Sequence, residues 1–225
     1  MRIICDFDGT ISRHDTTDLV LEHLADPSWR SIEDDWLAGR ISAAQCMRAQ
    51  IALIGGTSQD LDALLDTVEI DPGFRAFVAW CEASAIAVSI VSDGVDRFIR
   101  RILHRHALGH IPVVSNRLAG DAGGWDLEQP WSREGCAAGS GVCKCAAIGV
   151  WSGDIAADAT VYVGDGRSDF CVANRVDLLF AKDALADYAA ARGQPFIAFE
   201  SFDDVTRALA LRTAVARPAA RAGAL

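Results

Sequence analysis

The chain has 225 residues, about half of them apolar, which suits one domain with an insert around a substantial core and rules out a disordered composition. A net charge of -10 argues against a nucleic-acid surface, which needs clustered Lys and Arg, and disfavours an anionic membrane for the same reason. No apolar run approaches the roughly 20 residues of a spanning helix, no signal peptide is read, and seven scattered cysteines suit a reducing compartment, so a cytoplasmic location is expected.

Residues 2–7 read as a short buried strand that runs into acids. From about Asp15 to Trp80 the chain reads as helical, because Leu19, Val20, Leu21, Leu24 and then Leu61, Leu64, Leu65 fall at three- and four-residue spacings. Pro27, Gly39, the Gly55-Gly56 pair and Pro72 divide this stretch into several short helices. A helix over about Phe74–Ala83 leads into an apolar run, Ile86–Val91, and another helix is expected from Val95 to Ala107. Ile111–Val114 reads as a strand, Gly120–Gly124 as a hairpin or irregular loop, and Cys143–Trp151 as a helix. Thr160–Val163 is a further buried strand that ends in acids. A helix around Ser168–Asn174, a strand at Asp177–Phe180, a helix over Leu185–Arg192 and a strand at Pro195–Phe199 follow. From about Ala214 the Ala-, Arg- and Pro-rich end reads as a flexible tail.

Strands alternating with helices, the strands apolar without interruption, predict an α/β fold: a Rossmann-like, three-layer arrangement with a parallel sheet covered on both faces. The interval from Phe7 to Ile86 far exceeds the roughly 30 residues of a strand–helix–strand crossover. Its excess predicts a small helical cap inserted after the first strand. The expected division is a catalytic core of residues 1–11 and 74–213, a cap of residues 12–73 and a tail of residues 214–225.

Ligands in such sheets collect beyond the carboxyl ends of the strands, and polar clusters stand at several of those ends. Asp6 and Asp8, two apart in Asp6-Phe-Asp-Gly-Thr10, can face one pocket, where one attacks an electrophile and the other handles protons. An isolated Asp-x-Asp is as readily a turn or a helix cap; behind an apolar strand the catalytic reading is the stronger. Ser92-Asp93-Gly94 follows a strand and opens a helix, where a hydroxyl and free N–H groups can hold an anion, or Ser92 can simply cap the helix. Lys144 and Lys182 are the two lysines among 21 basic residues, the rest being arginine. A compact ammonium at Lys144 can offset both a nucleophile's charge and a phosphate's, where a planar guanidinium would not serve. Asp165 and Asp169, four apart after the strand Thr160–Val163, offer oxygen ligands suited to Mg2+.

In this order and at these strand ends, the four motifs resemble those of the haloacid dehalogenase superfamily, over about residues 2–200. The resemblance implies that Asp6 is a nucleophile and Asp8 a general acid and base. It implies that Ser92, with Asp93 and Gly94, binds phosphate, that Lys144 binds phosphate and neutralises charge, and that Asp165 with Asp169 forms an acidic metal motif. Mg2+ would also touch the Asp6 carboxylate and the Asp8 carbonyl. A phosphatase needs the acid that Asp8 supplies, whereas a dehalogenase does not; the stretch from Ile11 to Trp80 lacks the lysine that phosphonate hydrolysis uses. The expected activity is therefore Mg2+-dependent hydrolysis of a small phosphorylated metabolite through an aspartyl-phosphate.

A cap between the first two motifs resembles the phosphoserine-phosphatase-like branch. Residues 4–11, 92–99 and 179–183 resemble the methionine-salvage phosphatases that act on 2-hydroxy-3-keto-5-methylthiopentenyl-1-phosphate. Phosphoserine or another small ester is the alternative substrate. Arg13, His14, Asp15 and Thr16 are candidates to touch the leaving group, or are solvated surface. Cys136, Cys143 and Cys145 invite a zinc reading, but lack paired C-x-x-C units. A phospho-accepting signalling domain and a silent phosphate-binding protein are the readings from other classes, and a monomer or a homodimer is expected.

Overall fold

Period-two alternation along the apolar strands decides how the sheet is covered. In the computed structural model, which describes residues 1–121, 124–150 and 159–215, β1 (Arg2–Cys5) lies at the centre of the sheet. It pairs in parallel with β2 (Ala87–Val95) on one side and β5 (Thr160–Gly164) on the other. β3 (Val113–Asp121) extends the sheet beyond β2, and β6 (Leu178–Ala181) and β7 (Ile197–Ala198) extend it beyond β5. β4 (Gly124–Glu128) closes the other edge, antiparallel to β3, so the order is β4-β3-β2-β1-β5-β6-β7. The expected hairpin is present, with residues 122–123 outside the described residues.

Ile3, Cys5, Val161, Val163 and Phe180 face one core, and Ile4, Tyr162, Leu179 and Ala181 face a second across the sheet. The insert between β1 and β2 holds four helices: α1 (Thr16–Leu24), α2 (Trp29–Leu37), α3 (Ala43–Ile51) and α4 (Ser58–Leu65). Asp15 caps α1, and capping boxes Ser42/Gln45 and Thr57/Asp60 start α3 and α4, which fixes short helices whose apolar faces are Val20, Leu21, Ile51, Leu61 and Leu65. α5 (Phe74–Ala83) and α6 (Asp96–Arg105) pack on the first core, and α7 (Lys144–Val150) and α8 (Asp183–Ala191) on the second. α9 (Phe202–Val215) returns to the first core, where Phe202 meets Phe74 edge to face at 4.6 Å between ring centres. Helices on both faces of a mainly parallel sheet bear out the expected three layers, and the helical insert follows the first strand as expected.

The chain enters and leaves the insert side by side. Ser12 and Ile70 form an antiparallel bridge, Asp71 N–H donates to Ile11 C=O at 2.8 Å, and Arg13 N–H to Glu69 C=O at 3.1 Å.

Several elements differ from expectation for local reasons. Pro112 defers β3 to Val113. The helix expected around Ser168–Asn174 is two 3-10 turns, Arg167–Asp169 and Ala173–Arg175, because the Asp169 carboxylate reaches back to the Asp165 and Gly166 N–H groups and tightens the loop. α9 stands where no helix was expected, and it runs through Ala214 and Val215, the first two residues of the expected tail. Residues 216–225 of that tail, and Trp151 at the end of the expected helix over Cys143–Trp151, lie outside the described residues. Among the described residues no helix is long and apolar enough to cross a membrane.

Candidate active site

The end of β1 places Asp6 at the carboxyl edge of the sheet, beside the end of β5. Its carboxylate is nearly buried and held at both oxygens: Oδ1 accepts from Phe7 N–H at 2.7 Å, and Oδ2 meets Lys144 Nζ at 2.7 Å. Lys144, fully buried, also donates to Asp169 Oδ1 at 2.6 Å. Burial alone would lower the pKa of that ammonium, but Asp169 and Asp6 outweigh it and the net shift is upward, so Lys144 is charged. Burial first, and Asp169 next, push the Asp6 carboxyl up, while Lys144 pulls it back.

Asp169 is held from every side. Oδ1 accepts from Lys144 and from Tyr162 Oη at 2.6 Å, and Oδ2 from the N–H groups of Asp165 and Gly166 at 3.0 Å each. A carboxylate offers about four acceptor positions, and four protein donors take them. Burial, then Asp169, push the Tyr162 phenol well above its ordinary value, so it remains a donor. Asp165 accepts from Thr10 Oγ1 at 2.5 Å, and burial with Asp169 pushes its carboxyl up to about 6.

Ligand oxygens of Asp6, Asp165 and Asp169 lie within 4.8 Å of one another. One ammonium faces three carboxylates here, so the cluster is short of positive charge, and a phosphate would make it shorter. A hard divalent cation with oxygen ligands fits that donor set, and Asp6 and Asp165 are the two carboxylates with acceptor positions to spare.

Asp8 points toward the insert. Its Oδ1 accepts from Thr16 N–H at 2.9 Å and from Thr16 Oγ1 at 2.6 Å. Oδ2 lies so close to Gly94 that a Cβ there would collide with it. Burial first, then Asp15, push the Asp8 carboxyl up to about 8. Gly9, at φ +70°, turns the chain beside Asp165, whose carboxylate occupies the space of a side chain.

Ser92-Asp93-Gly94 does not open a helix. β2 runs to Val95 with a register shift against β3 after Val91, and α6 starts at Asp96. The irregularity re-aims this triplet, as bulges beside sites do. Ser92 Oγ accepts from Gly94 N–H at 2.9 Å. The Asp93 carboxylate is turned away, accepting from Val142 N–H at 2.8 Å and Asn116 Nδ2 at 3.2 Å.

Several of these groups open onto a cavity of about 430 Å3 between sheet and insert. Asp6, Asp8, Ser92, Asp93, Gly94 and Asp165 line its sheet side. The insert supplies Asp15, Thr17, Asp18, Glu33, Trp36 and Met47 among others.

Residues 3–174 match the model of the haloacid dehalogenase-like hydrolase family. The chain belongs to that family. It is an enzyme, a phosphatase like its named relatives. A 2-hydroxy-3-keto-5-methylthiopentenyl-1-phosphate phosphatase of Brevibacillus brevis is 31% identical over 212 residues, covering 92% of this chain and 94% of that protein. Its counterpart in Geobacillus kaustophilus is 30% identical with the same coverage. Among solved structures, a substrate-bound phosphoserine phosphatase superposes with a TM-score of 0.69 at 19% identity, covering 92% of this chain and 96% of that one. A probable phosphoserine phosphatase from Vibrio cholerae reaches 0.70 at 17%, covering 98% and 68%.

Within this haloacid dehalogenase-like site the structure brings together Asp6, Asp8, Ser92, Lys144, Asp165 and Asp169. Of the four insert residues singled out as candidates, Asp15 lines the cavity, Thr16 anchors Asp8, and Arg13 and His14 are exposed and do not line it. Cys143 and Cys145 lie 3.3 Å apart at sulfur, but Cys136 does not join them as a ligand group; among the described residues the acidic trio is the one that converges. Sequence reasoning missed Tyr162 and gave Thr10 no role. Tyr162 sits between Val161 and Val163 and so faces the other side of the sheet, a parity that was readable.

Proposed function

We propose that the chain hydrolyses small phosphomonoesters through an aspartyl-phosphate on Asp6. The observation that carries this is the Asp6 carboxylate itself: nearly buried, lining the cavity, and fixed by Lys144 at 2.7 Å. In the first half-reaction an Asp6 oxygen attacks phosphorus, the bond from phosphorus to the alcohol oxygen breaks, and Asp8 gives that oxygen its proton. A carboxyl pushed up to about 8 carries the proton at neutral pH. In the second, the Asp8 carboxylate takes a proton from a water that attacks phosphorus. The bond to Asp6 then breaks, and inorganic phosphate leaves with the nucleophile restored.

Ser92 Oγ and the Asp93 N–H hold phosphoryl oxygens, while the Asp93 carboxylate keeps the adjoining loop in place. Lys144 offsets the charge gathered around Asp6, and Asp169 acts through Lys144 as a positioning residue. Asp6 and Asp165, with the Asp8 carbonyl, would hold Mg2+, which supplies positive charge to the phosphoryl group. Residues 12–73 serve as the cap that contacts the leaving group, and residues 1–11 and 74–213 as the core that performs the chemistry.

The methionine-salvage ester named for the Brevibacillus and Geobacillus relatives is the first substrate to test, since identity near 30% extends over nine-tenths of both chains. Likeness to phosphoserine phosphatases at 19% identity or less speaks for the fold and lends nothing to phosphoserine as substrate. The test is phosphate release from a panel of phosphorylated metabolites, with and without Mg2+, by wild type and Asp6→Asn. Turnover that needs Mg2+ and vanishes in the variant is expected. A phospho-Asp that forms and persists would favour a signalling domain instead, and a folded, metal-loaded protein with no turnover would remove the hydrolase mechanism.

A further inference from the structure

Outside the acidic centre, thiols gather beside Lys144. Cys143 and Cys145 flank it, and their sulfurs are 3.3 Å apart. Cys171 is in hydrogen-bond contact with Cys145 and stands near Cys136. Residues two apart inside a helix do not face each other, so the contact between Cys143 and Cys145 has a local cause. α7 begins at Lys144, and the N–H groups of Ala146 and Ala147 donate to Cys143 C=O at 3.0 and 2.9 Å. Cys143 therefore caps the helix, and a side chain at that position lies over the first turn, toward the second and third helical residues. Cys145 is the second.

The two thiols differ in access: Cys143 is 3% exposed and Cys145 is half-buried. A sulfur–sulfur bond measures about 2.05 Å, so the pair lies about 1.3 Å short of one. Lys144 is the residue such a bond would enclose. Its ammonium is fully buried, 2.7 Å from Asp6 Oδ2 and 2.6 Å from Asp169 Oδ1, and contacts this short leave no slack for a shift of the backbone.

We propose that Cys143 and Cys145 are a modification site: a reversible disulfide, made by a hydroperoxide, that draws Lys144 away from Asp6 and halts turnover. The Cys145 thiolate attacks one peroxide oxygen, the O–O bond breaks, and the other oxygen takes a proton and leaves as an alcohol or as water. Cys143 then attacks the sulfur of the Cys145 sulfenic acid, the S–O bond breaks, and the hydroxyl leaves with the Cys143 proton as water. The two thiols together lose two electrons, which reduce the peroxide. A ring closed over one residue is strained, and strained disulfides are the ones that thiols readily reduce, which suits a transient bond and not a structural one. The bond is independent of the phosphatase reading; its effect on turnover rests on that reading.

The experiment treats the reduced, Mg2+-loaded protein with hydrogen peroxide, alkylates the remaining thiols and maps the peptides by mass, with phosphate release measured alongside. A bridge between Cys143 and Cys145 is expected, reversed by dithiothreitol. With it kcat should fall by about tenfold to a hundredfold, as a misplacement of about 1 Å in an active site can produce, and recover on reduction. Cys145→Ser, and Cys143→Ser, which keeps a capping side chain, should retain the basal rate, form no bridge and resist peroxide. No bridge, or Cys145 bridged instead to Cys136 or Cys171, overturns the site. A bridged protein with unchanged kcat, or a loss of rate that persists in both variants, as oxidation of the cavity-lining Cys46 would give, overturns the coupling to Lys144. Absence of turnover before any oxidation strikes the phosphatase reading instead. The peptide map then still decides the bridge, and the urea midpoint decides the displacement of Lys144. So short a loop adds little by constraining the unfolded chain. A midpoint lower in oxidised wild type than in oxidised Cys145→Ser therefore supports the displacement, and an equal one overturns it.

Discussion

Lys144 and Arg101 hold the same nominal position, a cation between two aspartates, in opposite surroundings. Lys144 lies fully buried between Asp6 and Asp169, at 2.7 and 2.6 Å. Arg101 of α6 reaches Asp62 of α4 at 3.5 Å and Asp66, just past the end of α4, at 2.6 Å, with 41% of its side chain exposed. Arg97 adds a pair to Asp62 at 3.0 Å, so a seam of ions joins insert to core along their outer side. Water and salt attend the seam, and each pair there contributes little. In the interior no solvent replaces a missing partner, so the three buried groups stand or fall together. Charge pairing on the surface tunes how two parts meet; in the interior it is retained, on the proposed mechanism, for the chemistry.

The largest effect expected to test this contrast comes from Lys144→Met. With two carboxylates left facing one another unpaired, the fold should lose about 3–5 kcal/mol, read by urea denaturation, and phosphate release should cease. A wild-type urea midpoint would break the contrast. Tyr162→Phe sharpens it at a smaller scale. It removes one of four donors to Asp169 and should cost about 1 kcal/mol in the same measurement, with turnover reduced and not abolished. No change in either would show that Asp169 does not depend on the phenol.

Arg101→Gln should have the smallest effect. Its hydrogen-bonded guanidinium holds the Asp66 carboxyl below the ordinary value. A folded-state value below the unfolded one contributes stability above the unfolded value, and that contribution is lost as pH falls through the folded one. Wild type and Arg101→Gln should therefore differ slightly at neutral pH and low salt, and coincide in acid or in high salt. A difference that persists in both would mean the seam acts by packing and not by charge.

What the sequence disclosed follows the same division between strong local pattern and tertiary context. β1, β5 and β6 were legible because unbroken apolar runs are buried on both faces, and their acidic ends located Asp6, Asp8 and Asp165. The insert was legible from chain length and from leucine spacing. Ser92-Asp93-Gly94 was found but misplaced, since a strand irregularity set by pairing with β3 cannot be read from the triplet alone. α9 was overlooked although Ser201-x-x-Asp204 carries a capping signal, with the Asp204 carboxylate accepting from Ser201 N–H. Asp15 was picked out from its place soon after the first motif, whereas Asp18 and Glu33 were not, because they lie on α1 and α2 and only packing brings both to the cavity.

The bridge between Ser12 and Ile70 has a consequence for lineage and engineering. Because the two threads pass through the sheet's edge as neighbours, nothing in the strand order depends on what is strung between them. A different set of helices could be grafted at these two residues, and Asp6, the proposed nucleophile, with Lys144 and the acidic trio would face a new cavity wall in one exchange. Selectivity in such a chain is transferable cargo, carried on a pair of stitches.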